Sequence, residues 1–231
     1  MALAINSQMP SNVGFSAGFS PSSPRTFSFT NTAGTVLYAF VGIGASSNGD
    51  IVTFGAVTYG GVSLTGLFEV QTTGTSGGKL GVYRLLSPPT GANTFSFAWS
   101  WSGTGGIVDV WAGCISFTGN RTPVPEAQTH GVFGTSATAS DTLTGVAAGS
   151  MVVACAGAGS SMTAQTQTLD WAANVSPGDT LGNGRASLSS TAGSVTHSYT
   201  ISSADHWAVG IIEVAAAPDL LGTRTGAGII G

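Results

Sequence analysis

Almost no stretch of this chain carries apolar residues at helical spacing, and that absence excludes most architectures at once. Short β-branched and aromatic runs recur instead between clusters of Gly, Ser, Asn and Pro, which is the pattern of a sandwich or barrel. Residues 26–30 (TFSFT) alternate and place Phe27 and Phe29 on one face. Residues 93–100 alternate again and align Phe95, Phe97 and Trp99. Residues 35–43 (TVLYAFVGI) are apolar without interruption, as expected of a central strand buried on both sides. Further strands are expected at 51–59, 62–70, 80–86, 107–117, 136–143, 150–156, 163–169, 187–190, 196–201 and 207–214. Residues 122–135, opened by Pro123 and Pro125, read as an exposed loop. Gly42-Ile43-Gly44 lacks the third glycine and the helix of a dinucleotide fingerprint and reads as a turn.

The 231 residues contain no linker rich enough to divide them. The economical fold is all-β: a single antiparallel two-sheet sandwich of jelly-roll or lectin-like type, built from about a dozen strands with its N- and C-terminal strands paired. Residues 1–25 are expected to form an extended segment, 26–216 the sandwich, and 217–231 an arm.

Composition narrows the function. Charged residues make up 7% of the chain, against about 25% in an ordinary soluble domain. Disorder is excluded, because 42% of residues are apolar and five are Trp. Lys79 is the only lysine and the five arginines are scattered, so no basic face exists to neutralise a phosphate backbone. The most apolar stretch, 146–159, is broken by Gly and Ser and falls short of a membrane-spanning helix. The first ten residues carry neither a basic residue nor a sustained apolar run, so no secretory signal is expected. A weakly charged surface repels its copies little, which favours a protein that works packed against neighbours. The arm supports this, since Leu220, Leu221, Ile229 and Ile230 stand among glycines as candidate partner-docking residues.

Motifs for chemistry are sparse. His130, His197 and His206 lack the paired spacing of a zinc site, and Cys114 and Cys155 read as small buried hydrophobes, with a disulfide between them as the alternative that two residues alone do not decide. The aspartates are dispersed and form no calcium loop, although sandwich loops can gather one ion from distant positions. No Gly-x-Ser-x-Gly elbow precedes a helix, and abundant serine makes any match to a Ser-His-Asp triad uninformative. No enzyme, cofactor or metal is therefore expected. Among the tryptophans, Trp101 at a strand end and Trp171 are the candidates for stacking on a glycan.

The order of motifs resembles a known domain. Residues 57–65 (VTYGGVSLT) are followed by residues 80–97 (LGVYRLLSPPTGANTFSF), 112–119 (AGCISFTG), 149–153 (GSMVV) and 207–214 (WAVGIIEV). This is similar to a lectin-like β-sandwich domain of bacterial surface proteins and bacteriophage virion proteins, across residues 26–216. The matched residues also have local roles: Gly60-Gly61 suits a tight hairpin, Pro88-Pro89 ends a strand, and Trp207 buries a large apolar area. The resemblance implies a fold and a setting, with no catalytic residue. The resulting expectation is a bacteriophage virion protein, either a capsid decoration or cement protein or a tail or fibre component. Its partners would be other virion proteins and its own copies, and it would assemble in the host cytoplasm. The alternative is a glycan-binding module that adheres to a bacterial surface.

Overall fold

A computed structural model describes residues 2–8, 22–45, 50–72, 78–103, 107–174 and 183–218. Among them are fifteen strands, all paired antiparallel, arranged in three sheets. The central sheet runs β1 (Ala4–Gln8), β9 (Ile107–Thr118), β3 (Val36–Ala45), β7 (Lys79–Leu86), β6 (Thr65–Gln71). A front sheet runs β2 (Arg25–Asn31), β8 (Gly91–Ser102), β4 (Ile51–Tyr59), β5 (Val62–Ser63). A rear sheet runs β10 (Glu126–Val146), β15 (Gly193–Val214), β11 (Met151–Ala158), β14 (Asn183–Ser189), β13 (Thr168–Asn174), and β12 (Met162–Gln165) also pairs with β15.

The uninterrupted apolar run explains the layering. Every residue of β3 is buried, as expected for a strand covered on both faces. Leu37, Ala39, Val41 and Ile43 alternate with Val36, Tyr38, Phe40 and Gly42. On the second of these faces the Trp111 ring lies over Gly42, its register partner, and against Gly184 of the rear sheet. On the opposite face, Tyr83 of β7 meets Phe54 of the front sheet edge-on, with centroids 6.3 Å apart. Gly81 leaves room for the same Phe54 ring. The expected two-sheet sandwich is thus corrected to a stack in which a central sheet has a sheet on each face.

The rear sheet also folds over itself. β10 and β15 pair along their length, but the register jumps from Ser136↔Asp205 to Thr138↔Thr200, so residues 201–204 bulge from the ribbon. Such an insertion bends and twists a strand pair. The far half of the ribbon then returns across the near half. Gln128 donates from Nε2 to the Thr144 carbonyl at 3.0 Å, while Leu143, Val146 and Val195 pack on Val152, Ala154 and Ile211. Ala139, Tyr199 and Met162 similarly cover Ala156, Val209 and Trp207.

Four sequence expectations change. Residues 126–135 are strand, because Gly131 and Gly134 let β10 approach Phe68, Val70 and the Trp207 ring closely; glycine that reads as loop here serves packing. Gly42 lies inside β3 for the same reason. Residues 4–8 form β1 although their pattern is weak, since the free side of β9 supplies their main-chain partners. That strand pairs with β9 and the last strand with β10, β11 and β12, so the N- and C-terminal strands do not pair. The Gly60-Gly61 turn has φ of 57° and 78°, and the Pro88 and Pro89 carbonyls after β7 accept hydrogen bonds from Asn31 Nδ2. Cys114 and Cys155 are both buried.

Candidate functional site

Each face of the central sheet carries a tyrosine, a glutamate and a cation. Toward the rear sheet, the Tyr38 hydroxyl donates to Glu126 Oε1 at 2.7 Å, and Arg84 Nη1 donates to Glu126 Oε2 at 2.6 Å. Burial first, and then the Glu126 charge, push the Tyr38 phenol well above its ordinary range. Arg121 Nη2 donates to the Glu126 carbonyl at 2.7 Å. Toward the front, the Tyr83 hydroxyl donates to Glu69 Oε1 at 2.9 Å, and Lys79 pairs with Glu69 while sitting over the Phe54 ring. Burial and the Glu69 charge raise the Tyr83 phenol as well. Both phenols stay protonated and both carboxylates are occupied; the rear trio ties β10 to the central sheet, whereas the front trio lies within the central sheet and meets the front sheet through Phe54.

A second polar group lies inside the folded-back rear sheet. Ser187 Oγ is 2.7 Å from both His197 Nδ1 and the Tyr199 hydroxyl, and all three side chains are fully buried. Burial drives the His197 pKa down to about 4, so the ring is neutral at pH 7. Its Nε2 has no hydrogen-bond partner. Asp141 faces His197 in the strand register, but its carboxylate lies 2.8 Å from His130 Nδ1 and accepts from the Thr142 amide. The serine and histidine of a triad are therefore adjacent without the carboxylate, and sealed from any substrate. Nearby, Arg185 donates to the Met162 carbonyl at 2.8 Å, and burial lowers its pKa. Among the described residues no group of three or more His, Cys, Asp or Glu is placed to hold a metal ion.

The two glycan-stacking candidates are not brought together. Trp101 lies near the end of β8 in the front sheet, opposite Val52, and is 42% exposed; Ile51, 56% exposed, pairs with Ser102 and faces the other side of the sheet. Trp99, two residues earlier on the same face, is buried. Trp171 belongs to β13 of the rear sheet, opposite Ala186, with the central sheet between the two positions. Its side chain lies outside the described residues, as do Leu220, Leu221, Ile229 and Ile230.

One open feature has little signature in the sequence. A groove of about 820 Å³ is walled by Ala2 and Leu3 before β1, by the turn Ala147–Gly149, by Met151, and by residues 215–218 after β15. A second hollow of about 310 Å³ shares Met151 and Ser190 with it and reaches Ile5 of β1 and Leu188 of β14. The groove is thus a channel that adjoins the second hollow at Met151 and Ser190, beside β1. Its only sequence signal is alanine (Ala147-Ala148 and Ala215-Ala216-Ala217), small residues that line a wall without filling the space. The polar groups at its margin are used internally: Glu213 accepts from Gln128 Nε2 and from the Ala147 amide, and Arg121 Nε donates to the Val124 carbonyl. No protein-family model matches the chain, and no curated protein matches it.

Proposed function

We propose that this chain is a structural protein of a bacteriophage virion, a capsid decoration or cement protein or a tail or fibre component, working through contacts with copies of itself and with other virion proteins. The observation that carries this reading is how the polar groups are spent. Lys79, Arg84, Arg121 and Arg185 all engage partners within the chain. The outward positions of the layers carry hydroxyls: Thr26, Ser28 and Thr30 in front, and Thr138, Ser140, Thr142 and Thr144 behind. Such a surface presents little charge to repel a neighbour. The channel at the β1 edge, whose wall mixes alanines and Met151 with Arg121 and serines, offers it a concave surface to fill. The lectin-like, jelly-roll classification suggested by the sequence motifs belongs to the same proposal. Deleting residues 218–231 tests it: the expected result is a chain that keeps its β-structure by circular dichroism and no longer enters particles. Normal incorporation would remove the arm from the mechanism.

A glycan-binding adhesion module is the second reading, favoured by the exposure of Trp101. A glycan array with the parent chain and Trp101→Ala separates the two. Binding that is lost in the variant supports adhesion, and absence of sugar binding by the parent leaves assembly.

A further inference from the structure

We propose that the far half of the β10–β15 ribbon is an acid-released layer, held down by a neutral His197 whose protonation lifts it off the strands it covers. This device goes beyond the assembly reading and does not depend on it.

The surroundings of the ring leave no place for a charged imidazole. His197 is fully buried, with Nδ1 2.7 Å from Ser187 Oγ, which is itself 2.7 Å from the Tyr199 hydroxyl. Nε2 is buried and meets no hydrogen-bond partner. A neutral ring tolerates this, because Nδ1 can donate to Ser187 and leave Nε2 as a bare acceptor. An imidazolium donates at both nitrogens, so protonation points an N–H into the gap with nothing to receive it. A buried donor that is both charged and unpaired is strongly destabilising.

The charges around the ring are already committed. Asp141 on β10 is the register partner of His197, but its carboxylate lies 2.8 Å from Nδ1 of His130 on the near half. From β14, Arg185 brings a positive charge and donates to the Met162 carbonyl of β12. Glu213 on the near half of β15 accepts from Gln128 and from the Ala147 amide. β11 and β12 carry no charged residue. A protonated His130 would attract Asp141 and oppose release, so acid opening has its source in His197.

The layer can move as a unit. It comprises β10 from Thr138, β15 up to Ile201, and β12, which pairs with that part of β15 at Met162↔Ile201 and Gln165↔Tyr199. It joins the near half at the register break between Ser136↔Asp205 and Thr138↔Thr200. The near side of the break is anchored: Ser160 Oγ donates to Asp205 Oδ2 at 2.7 Å and lies 2.8 Å from Ser203 Oγ. Across the gap, Gln128 reaches the Thr144 carbonyl, His130 reaches Asp141, Arg185 reaches the Met162 carbonyl and Ser187 reaches His197. Each of these bonds has a side chain on at least one end, so lifting the layer leaves the strand ladders intact. Local openings of this kind occur at lower free energy than global unfolding.

Burial holds the folded ring's pKa near 4, against an ordinary 6.5. Release into water restores the ordinary value, so the open form gains about thirtyfold on the closed one between pH 7.5 and pH 5.

Hydrogen exchange, expressed as protection against the intrinsic rate at each pH, tests the device. At pH 5 the amides of 138–146 and 195–201 are expected to be less protected than those of β3 by about tenfold or more. Between pH 7.5 and pH 5 their protection should fall about thirtyfold in the parent chain and less than about threefold in His197→Gln. His197→Leu, which keeps the site apolar, repeats the comparison if the glutamine variant folds poorly. Far-layer protection equal to that of β3 at pH 5 would mean that the layer opens only with the whole molecule, and overturns the proposal. A parent chain with the same far-layer protection at both pH values overturns it too. So does a thirtyfold fall that persists in the variants, which assigns the acid response to other groups.

Discussion

The gap between the front and central sheets and the gap within the folded-back rear sheet are closed by opposite means. The front gap is filled by bulk: Tyr59, Phe95, Phe97 and Trp99 are buried there, with Phe97 and Trp99 centroids 4.9 Å apart. The rear gap mixes four alanines, Ala139, Ala154, Ala156 and Ala158, with aliphatic residues such as Leu143, Val152, Val209 and Ile211, and holds the Ser187–His197–Tyr199 group. Large rings hold two sheets at the usual spacing of about 10 Å and need few hydrogen bonds. Small residues draw the layers together, and any polar group caught between them must find its partner inside. The front gap should therefore fail through lost volume and the rear gap through lost or added polarity.

Removing bulk from the front should have the largest effect. Phe97→Ala deletes a ring that touches Phe54 and Trp99, and is expected to cost about 3–5 kcal/mol. Urea denaturation gives that value, and a loss under 1 kcal/mol would mean that the front layer collapses into the space.

Acid should act at the rear. His197 takes up its proton near pH 4 when folded, against its ordinary 6.5. Between those values the unfolded chain binds a proton that the folded chain refuses, so stability rises with pH through this window. The contribution is complete above pH 6.5 and is lost as pH falls toward 4, by about 3 kcal/mol at about 1.4 kcal/mol per unit. Denaturation midpoints of the parent and His197→Gln, compared from pH 7.5 to 4, should show a shallower fall in the variant. Parallel curves would place the acid sensitivity elsewhere.

Adding volume distinguishes the gaps more finely. Ala154→Leu adds an isopropyl group's bulk to the rear gap and should destabilise by about 1–3 kcal/mol. A neutral result would show that the rear layers are free to part. The smallest effect is expected from Trp207→Phe, which keeps a ring over Gly134 and removes the 3.0 Å bond from Trp207 Nε1 to Ser136 Oγ. Thermal unfolding should register about 1 kcal/mol.

Much of the molecule follows from local pattern. Phe27, Phe29, Phe95, Phe97 and Trp99 alternate because one face of a strand is buried, and the run at 35–43 is apolar throughout because both faces are. Gly60-Gly61 and Pro88-Pro89 end strands through their own backbone chemistry. Long-range features have no such signature. Gly42, Gly131 and Gly134 look like loop residues until Trp111, Phe68 and Trp207 are placed over them. Glu126 and Tyr38 lie 88 residues apart, so their hydrogen bond is invisible until the rear sheet lies against the central one. The channel is harder still to read, because it is made of alanines whose importance is the space they leave. What the sequence determined by itself was therefore all-β character, the doubly buried central strand and the weakly charged surface, each fixed by residues within a few positions of one another. Tertiary structure alone decided the third sheet, the folded ribbon and the open edge above the channel, because those depend on which distant surfaces meet.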